Sequence, residues 1–298
     1  GAVDTIYTEW FGAKGNASDS TVPIQAALGS AACVSGLAEL GGQFGHEVKL
    51  LIGRYLVTDT IVVPSYVTFS GTDQVTSVLQ GSGLVAGQAV VKFQGAVAGQ
   101  THSTIKNMTV SGQNIAGVVC IDFWDGTGST QNNFSKVLNC YIVRYSIGIR
   151  LDSGAPGKFI VYSSIEDCHF ESANANFKSI QLANGVNYLK ILRNNFHGSS
   201  HSVYFETNFF GDYVDISGNS FDGGSGTDGA CVKIQCASTN EVVNAIVQRN
   251  RFEGGGVYVG STNATVQIVD NSLLASPRAI YIAGRYCSIV NNWIGIGD

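Results

Sequence analysis

The last two thirds of the chain repeat one short pattern of apolar and polar positions. The frame is apolar-x-x-(Asn or Cys)-x-apolar, and it occurs eight times, with Met replacing Asn or Cys in the first copy. Successive copies begin 21 to 32 residues apart, a period that fits one coil of a solenoid and is too short for a βαβ unit. The copies are "IKNMTV" from Ile105, "VLNCYI" from Val137, "IEDCHF" from Ile165, "ILRNNF" from Ile191, "ISGNSF" from Ile216, "VQRNRF" from Val247, "IVDNSL" from Ile268 and "IVNNWI" from Ile289.

Two columns of this frame predict how the coils stack. Because Asn tolerates the left-handed backbone conformation and its amide binds turn backbone, we interpret the fourth column as a structural ladder at a bend between strands. The fourth column is Met108, Cys140, Cys168, Asn194, Asn219, Asn250, Asn271 and Asn292. The sixth column, which predicts a stack of core side chains, is Val110, Ile142, Phe170, Phe196, Phe221, Phe252, Leu273 and Ile294.

Every copy of the frame except the last is followed by a second strand-like run. These runs are "CIDFWD", "GIRLDS", "SIQLAN", "SVYFET", "CVKIQC", "GVYVGS" and "AIYIAG". Alternation along each run places its first aliphatic residue and that residue's second neighbour on one face, and the residues between them on the other. The aliphatic positions are Ile121, Ile149, Ile180, Val203, Val232, Val257 and Ile280. The pattern predicts an all-β fold, a parallel β-helix.

The first hundred residues have a different pattern. In "EWFGAKGNASDSTVPIQAALGSAAC", Asp19 or Ser20 can cap an apolar-periodic segment of about a dozen residues, which predicts a short α-helix that covers the open end of the solenoid. The run "VKLLIGRYLVTDTIVVPSYVTFSGTD" then predicts three short strands, broken by Gly53, Pro64 and Gly71. We therefore expect an N-terminal segment with a capping helix at 1–45 and one continuous domain of coils at 46–298.

These N-terminal residues resemble a known family. "FGAKGNASDSTVPIQAAL", followed by "KLLIGRYLVTDTIVVPSYVTFSG", is similar to the start of pectate-lyase-like right-handed β-helices, in particular bacteriophage tailspikes and capsule depolymerases. The resemblance implies a right-handed parallel β-helix, a bacterial polysaccharide as partner, a homotrimer, and a location on a virion tail or outside the cell. It leaves the reaction open, since the family includes lyases, hydrolases, epimerases and inert stalks.

Composition narrows the range of partners. Charged residues make up 13% of the chain and the formal net charge is −5, so we expect no basic surface for nucleic acid or an anionic membrane. The sequence has no recognisable signal peptide and no apolar run long enough to insert into a membrane.

Its seven cysteines form no CxxC pair and no short Cys/His cluster, which predicts mostly buried thiols and no cofactor. Because the chain ends at "NNWIGIGD", just after a repeat, we expect either a truncated chain or a trimer that shields the last edge.

The outward positions of the second strands carry the candidate chemistry. The first outward column is Asp122, Arg150, Gln181, Tyr204, Lys233, Tyr258 and Tyr281, and the next is Trp124, Asp152, Ala183, Glu206, Gln235, Gly260 and Ala283. Aromatic rings stack on pyranose faces while polar groups bind sugar hydroxyls, so this strip predicts a glycan-binding groove. The residues expected to bind substrate are Trp124, Arg150, Gln181, Tyr204, Lys233, Tyr258 and Tyr281. Alternatively, the stacked tyrosines support one another or pack against a neighbouring subunit.

Asp152 and Glu206 are the predicted catalytic pair. They share a column and are separated by one coil, whose residue there is the small Ala183, so their backbones should lie about 9 to 10 Å apart. Inverting glycosidases hold two carboxyl groups about 6.5 to 9.5 Å apart. We expect Glu206, beside Tyr204, to be the general acid, because partial desolvation favours its protonated form, and Asp152, beside Arg150, to be the base. The alternative for each is a solvated acid at a strand end.

Other residues and other functions are weaker candidates. Asp122 and Asp125, which flank the aromatic pair of "IDFWDG", are secondary catalytic candidates, although Asp before Gly is common in turns. His197 and His201 lie in a turn and lack metal-ligand geometry, so no metal is expected. The leading hypothesis is a tailspike-type depolymerase that hydrolyses a bacterial surface polysaccharide, and one alternative is a polysaccharide lyase acting on a uronate-containing glycan. The other is a non-enzymatic β-helical adhesin or stalk.

Overall fold

The computed structural model describes residues 5–35, 46–94, 101–123, 133–154, 158–172, 177–224, 229–236, 243–274 and 279–295. In these ranges the regular structure is almost all β, together with an α-helix, Thr21–Ser35, and a 3₁₀ helix, Thr8–Phe11. The strands form two sheets of 11 strands, one of nine and one of two. Each strand pairs in parallel with its equivalent in the next coil, so the protein is a parallel β-helix, as the repeat predicted.

Each full coil contributes one strand to each of the three large sheets. Sheet 1 consists of Thr5–Tyr7, His46–Lys49, Val67–Ser70, Thr104–Lys106, Lys136–Leu138, Ser164–Glu166, Lys190–Leu192, Gly211–Ser217, Val243–Gln248, Ala264–Val269 and Tyr286–Val290. Sheet 2 consists of Asn16–Asp19, Gly53–Val57, Ser77–Gly81, Thr109–Ser111, Tyr141–Val143, His169–Glu171, Asn195–His197, Ser220–Asp222, Arg251–Glu253, Ser272–Leu274 and Trp293–Gly295. Sheet 3 consists of Ile61–Val63, Ala89–Phe93, Val119–Asp122, Ile147–Asp152, Lys178–Ala183, His201–Phe205, Ala230–Ile234, Gly256–Val259 and Ile280–Ile282, and the small sheet pairs Ile160–Val161 with Val186–Asn187.

The α-helix begins at a capped turn and packs against the first coils. Asp19 Oδ1 accepts hydrogen bonds from the Thr21 hydroxyl at 2.7 Å and the Thr21 backbone N–H at 3.0 Å, and these bonds hold the pKa of Asp19 below its usual value. The Ser20 carbonyl accepts the first helical bond, from Ile24. The helix buries Ile24, Ala27, Leu28 and Ala31 in the core that the sheets enclose. No helix in the described ranges is long and apolar enough to span a membrane.

A ladder of buried asparagines joins the later coils at the bend between sheets 1 and 2. Asn219 Oδ1 accepts the backbone N–H of Asn194 at 2.8 Å and its Nδ2 at 3.0 Å, while Asn194 Nδ2 also donates to the Ile165 carbonyl at 2.9 Å. The same bonds recur one coil later each time along Asn219, Asn250, Asn271 and Asn292. The structural interpretation of this column is confirmed.

The left-handed residue at this bend lies one position earlier than the sequence analysis expected. Positive φ angles, between 48° and 67°, fall on Asn107, Asn139, Asp167, Arg193, Gly218, Arg249, Asp270 and Asn291. Each of these residues directly precedes a residue of the fourth column. The turn is therefore made by the preceding residue, which leaves the next side chain inside the coil. The frame requires Asn for the hydrogen bonds of its amide and not for its backbone tolerance.

Apolar stacks fill the interior between the sheets. The frame starts Ile165, Ile191 and Ile216 are in register across sheet 1, as the repeat predicted. In the sixth column, the rings of Phe170, Phe196, Phe221 and Phe252 stack with centroids 4.7, 4.9 and 4.7 Å apart. The core also contains the reduced thiols of Cys120, Cys140, Cys168, Cys231 and Cys236, while Cys287 is half-buried.

Asn219→Ala should lower the free energy of unfolding by about 1 to 3 kcal/mol, because it leaves the buried N–H of Asn194 and carbonyl of Ile191 without their partner. Equilibrium urea unfolding measures this change. Asn208→Ala is a matched control, since Asn208 is exposed and donates to Asn184 at the surface, and it should change stability by no more than about 0.5 kcal/mol. Equal losses in the two variants would contradict the ladder's role.

Candidate functional site

The register of sheet 3 brings the predicted outward columns onto one face. The first column pairs in the order Asp122, Arg150, Gln181, Tyr204, Lys233, Tyr258 and Tyr281. In the second column Asp152 pairs with Ala183, and the backbone N–H of Glu206 donates to Leu182 at 2.8 Å, which continues the ladder. The predicted site residues Trp124 and Asp125 lie outside the described residues.

A buried ion pair lies at one end of this face. Arg150 Nε donates to Asp122 Oδ1 at 3.1 Å, and Arg150 Nη2 donates to Oδ2 at 2.5 Å. Asp122 is only 2% exposed. Burial alone would lower the pKa of Arg150, but the hydrogen bond and charge of Asp122, with the charge of Asp152, raise it overall. The Arg150 guanidinium is thus engaged by Asp122, which limits the part that either can play in binding a sugar.

Glu206 is held by two donors from the neighbouring strand. Its Oε1 accepts a hydrogen bond from Lys178 Nζ at 2.5 Å and another from Gln181 Nε2 at 2.5 Å. The sequence predicts a desolvated, proton-donating Glu206 beside Tyr204; in the structure its carboxylate forms an ion pair with the Lys178 ammonium. Lys178 was missed because it lies three residues before the outward column and reaches Glu206 only through the length of its side chain.

Asp152 has uncharged hydrogen-bond donors. Its Oδ1 accepts from Asn184 Nδ2 at 2.6 Å and from the backbone N–H of Gly154 at 2.8 Å. Arg150, on the same strand, binds Asp122 and is also close enough for the charge of Asp152 to help raise its pKa. Two strand spacings separate Asp152 from Glu206, which places their backbones about 9 to 10 Å apart, with the buried Ala183 between them.

The tyrosine faces of this surface are mostly covered by neighbouring side chains. Lys178 Nζ lies 3.9 Å from the Tyr204 ring centroid, and Lys233 Nζ lies 5.6 Å from the centroids of both Tyr204 and Tyr258. Tyr258 stacks on Tyr281 with centroids 4.7 Å apart. Tyr204 and Tyr258 therefore have neighbouring side chains over their ring faces, because one strand spacing is also a stacking distance. A glycan here would meet ring edges and hydroxyl groups.

A second aromatic column, at the bend before sheet 1, was missed by the sequence analysis. Its members are Tyr66, His102, Phe134, Tyr162, Tyr188 and Tyr213. Consecutive rings stack with centroids 4.5 to 5.5 Å apart, and all six residues have φ between 47° and 62°. Their signal in the sequence is an aromatic residue three positions before the frame start, as in "YSSI" before Ile165 and "YLKI" before Ile191. We call this column the aromatic ladder.

Clefts also lie on the other two large sheets. On sheet 1, a cleft of about 480 Å³ runs beside the aromatic ladder and is lined by Lys136 and Lys190 among others. On sheet 2, a cleft of about 370 Å³ is lined by Arg54, Arg144 and the hydrogen-bonded pair Tyr141 and Glu171. Burial, with Glu171, raises the pKa of Tyr141 to about 12. Among the described residues, no three His, Cys, Asp or Glu side chains cluster as a metal site would require.

The fold is shared with solved structures of phage and carbohydrate-active proteins. ORF18 of Geobacillus virus E2 is 18% identical with a TM-score of 0.58, and 97% of this chain matches 59% of that one. The Dettilon tailspike protein is 14% identical with a TM-score of 0.65, and 97% of this chain matches 54% of it. The DFA-IIIase of Arthrobacter chlorophenolicus A6, solved with DFA-III, is 13% identical with a TM-score of 0.62, at coverages of 99% and 85%.

These likenesses define the class of structure. The chain is a right-handed parallel β-helix, the fold of these solved structures. It spans 59% and 54% of the lengths of the two viral proteins. No family model and no curated protein sequence matches it. At such low identities the likeness establishes the fold and does not establish the activity.

Asp122→Ala should destabilise the protein by about 1 to 3 kcal/mol, because the half-buried Arg150 guanidinium loses the hydrogen bonds and the charge of the buried Asp122 carboxylate. Urea unfolding monitored by circular dichroism measures the loss. The double variant Asp122→Ala with Arg150→Met removes both charges and should recover part of the stability. A loss below about 1 kcal/mol in the single variant would show that solvent already screens the pair.

Proposed function

We propose that this β-helix is a depolymerase that binds and hydrolyses a bacterial surface polysaccharide, such as a capsule, an exopolysaccharide or an O-antigen. The observation that carries the proposal is the pair Asp152 and Glu206, two carboxylates in one outward column with the small Ala183 on the strand between them. Their side chains can reach the spacing that inverting glycosidases use, with room for a water and the scissile bond. The tailspike and DFA-IIIase likenesses support a carbohydrate-directed function.

The hydrogen-bond partners suggest a role for each carboxylate. Glu206, which faces the Lys178 ammonium, is the better base: it accepts a proton from the water that attacks the anomeric carbon. Asp152, whose donors are uncharged, is the general acid that protonates the leaving glycosidic oxygen as the bond breaks. This assignment reverses the one made from the sequence. One water is consumed, and after the products leave, solvent returns each carboxyl group to its starting state.

Glu206→Gln and Asp152→Asn should each reduce kcat by about 10²-fold or more, in line with general acid-base catalysis, and leave most of the glycan affinity intact. Turnover of a capsule or O-antigen that the parent protein degrades is the measurement. Glu171→Gln is the matched control, because Glu171 is a hydrogen-bonded glutamate on sheet 2. Full activity in both sheet 3 variants would move the active centre elsewhere.

A polysaccharide lyase is the second candidate, and the cleft on sheet 2 is the observation that favours it. Within the described residues, Arg54 and Arg144 line this cleft without an ion pair, and guanidinium groups bind the carboxylates of uronates well. The Tyr141 hydroxyl and Glu171 carboxylate lie beside them. If the reaction occurs there, Glu171→Gln should lose activity while the two sheet 3 variants keep it.

Incubation with a panel of bacterial capsules and O-antigens separates these functions. Hydrolysis adds one water, about 18 Da, per cleaved bond, whereas elimination adds no mass and leaves an unsaturated sugar that absorbs in the ultraviolet. Binding without any fragments would favour a non-enzymatic adhesin or stalk. The homotrimer and the virion or extracellular location implied by the resemblance belong to the same proposal, and sedimentation equilibrium tests the trimer.

A further inference from the structure

The aromatic ladder ends at Tyr213, and the structure leaves one side of that ring open. Tyr188 covers one face, with centroids 4.9 Å apart and planes 10° from parallel. Tyr213 is nevertheless 59% exposed, and it lines a cleft of about 380 Å³ on the side toward the later coils. Every earlier tyrosine of the ladder except the first, Tyr66, has a ring on both sides.

The aromatic column is interrupted beyond Tyr213. The next two positions are Asn244 and Thr265, which pair with each other, and Thr265 pairs with the exposed Tyr286. Tyr213 and Tyr286 are thus three strand spacings apart, or about 14 Å. The two positions between them carry an amide and a hydroxyl in place of rings. The result is a gap in an otherwise continuous aromatic column, with a ring at each end.

The chemistry of this gap is polar but uncharged. The cleft is lined by the exposed amide of Gln267, the half-buried Thr265 and Asn244, and the aliphatic edge of Ile246, and no charged side chain is among its described lining residues. Asn244 Nδ2 donates to the carboxylate of Asp212, which is not among the residues that line the cleft. A pyranose has one face of C–H groups and a rim of hydroxyls, so it complements an aromatic face flanked by amides and a hydroxyl.

We propose that the gap in the aromatic ladder is a second glycan-binding site, on sheet 1, which takes an uncharged pyranose unit with one face stacked on Tyr213 and its hydroxyls on Gln267 and Thr265. The site lies on a different sheet from Asp152 and Glu206, and it stands whether or not those carboxylates are catalytic. Its role is to anchor a polysaccharide by repeated weak contacts, which raise the local concentration of chain near the protein.

Saturation-transfer NMR and titration calorimetry with defined tetrasaccharides test this site. The probes are neutral tetramers of glucose, galactose, mannose and N-acetylglucosamine, with tetragalacturonate and tetramannuronate as acidic counterparts. At least one neutral probe should bind, and Tyr213→Ala should weaken it by about tenfold, the value of one good stacking contact. Gln267→Ala, an exposed substitution that leaves the ladder intact, should weaken the same probe several-fold. Binding of acidic probes alone would overturn the proposal.

Two control variants distinguish sugar stacking on Tyr213 from a general loss of ladder stability. Tyr162→Ala also removes a ladder ring, but one whose faces are covered by Phe134 and Tyr188, so it should leave affinity unchanged; an equal loss would show that ladder stability alone is being measured. Arg251→Ala should also retain binding, since Arg251 is an exposed side chain on sheet 2 and lies outside both proposed sites. Failure of every neutral probe to bind would overturn the proposal. A change in oligomeric state in Tyr213→Ala without a change in affinity would identify the gap as an interface between copies.

Discussion

In-register parallel pairing is the constraint on which this structure depends. Each strand lies about 4.8 Å from its equivalent in the next coil, so every side chain has as its neighbour the residue at the same position one coil on. That distance suits contact between like groups. Asn194 can hydrogen-bond to Asn219 through both its backbone and its amide, and Phe196 can stack on Phe221. The coil is therefore stabilised where equivalent positions in successive coils carry identical side chains that can hydrogen-bond or stack on one another.

For charged side chains, the same spacing between equivalent positions makes identical residues unfavourable. Like charges one strand spacing apart are unfavourable, and on sheet 3 the buried Asp122 instead faces Arg150. Lys178 extends across the face to reach Glu206. Asp152 and Glu206 are kept apart by the strand that carries Ala183. A column of this kind can hold two acids close enough for shared chemistry only when an uncharged residue separates them.

The coil could be predicted because the repeat period and the apolar alternation can be read from short stretches of sequence. In-register pairing then gives every coil the same structure. The register of Ile165, Ile191 and Ile216 follows directly from aligning the frames. The left-handed residue at the bend could not be assigned, because Asn is common at both candidate positions. Contacts across the face, such as Lys178 with Tyr204, depend on side-chain length and direction, which alignment does not encode. The aromatic ladder has a sequence signal, but its residues lie three positions before the six-residue frame and so outside the repeat.

The reduced cysteines of the core can serve as probes of local unfolding in the coil. Burial raises the pKa of Cys231 to about 12 and that of Cys120 well above its usual value, so in the closed coil these thiols are neither ionised nor accessible. Alkylation requires an accessible thiolate. Modification of each cysteine by a thiol reagent would thus report the local unfolding of its own segment. Because Cys120 and Cys231 lie in different coils of sheet 3, their relative rates would show from which end the solenoid unravels.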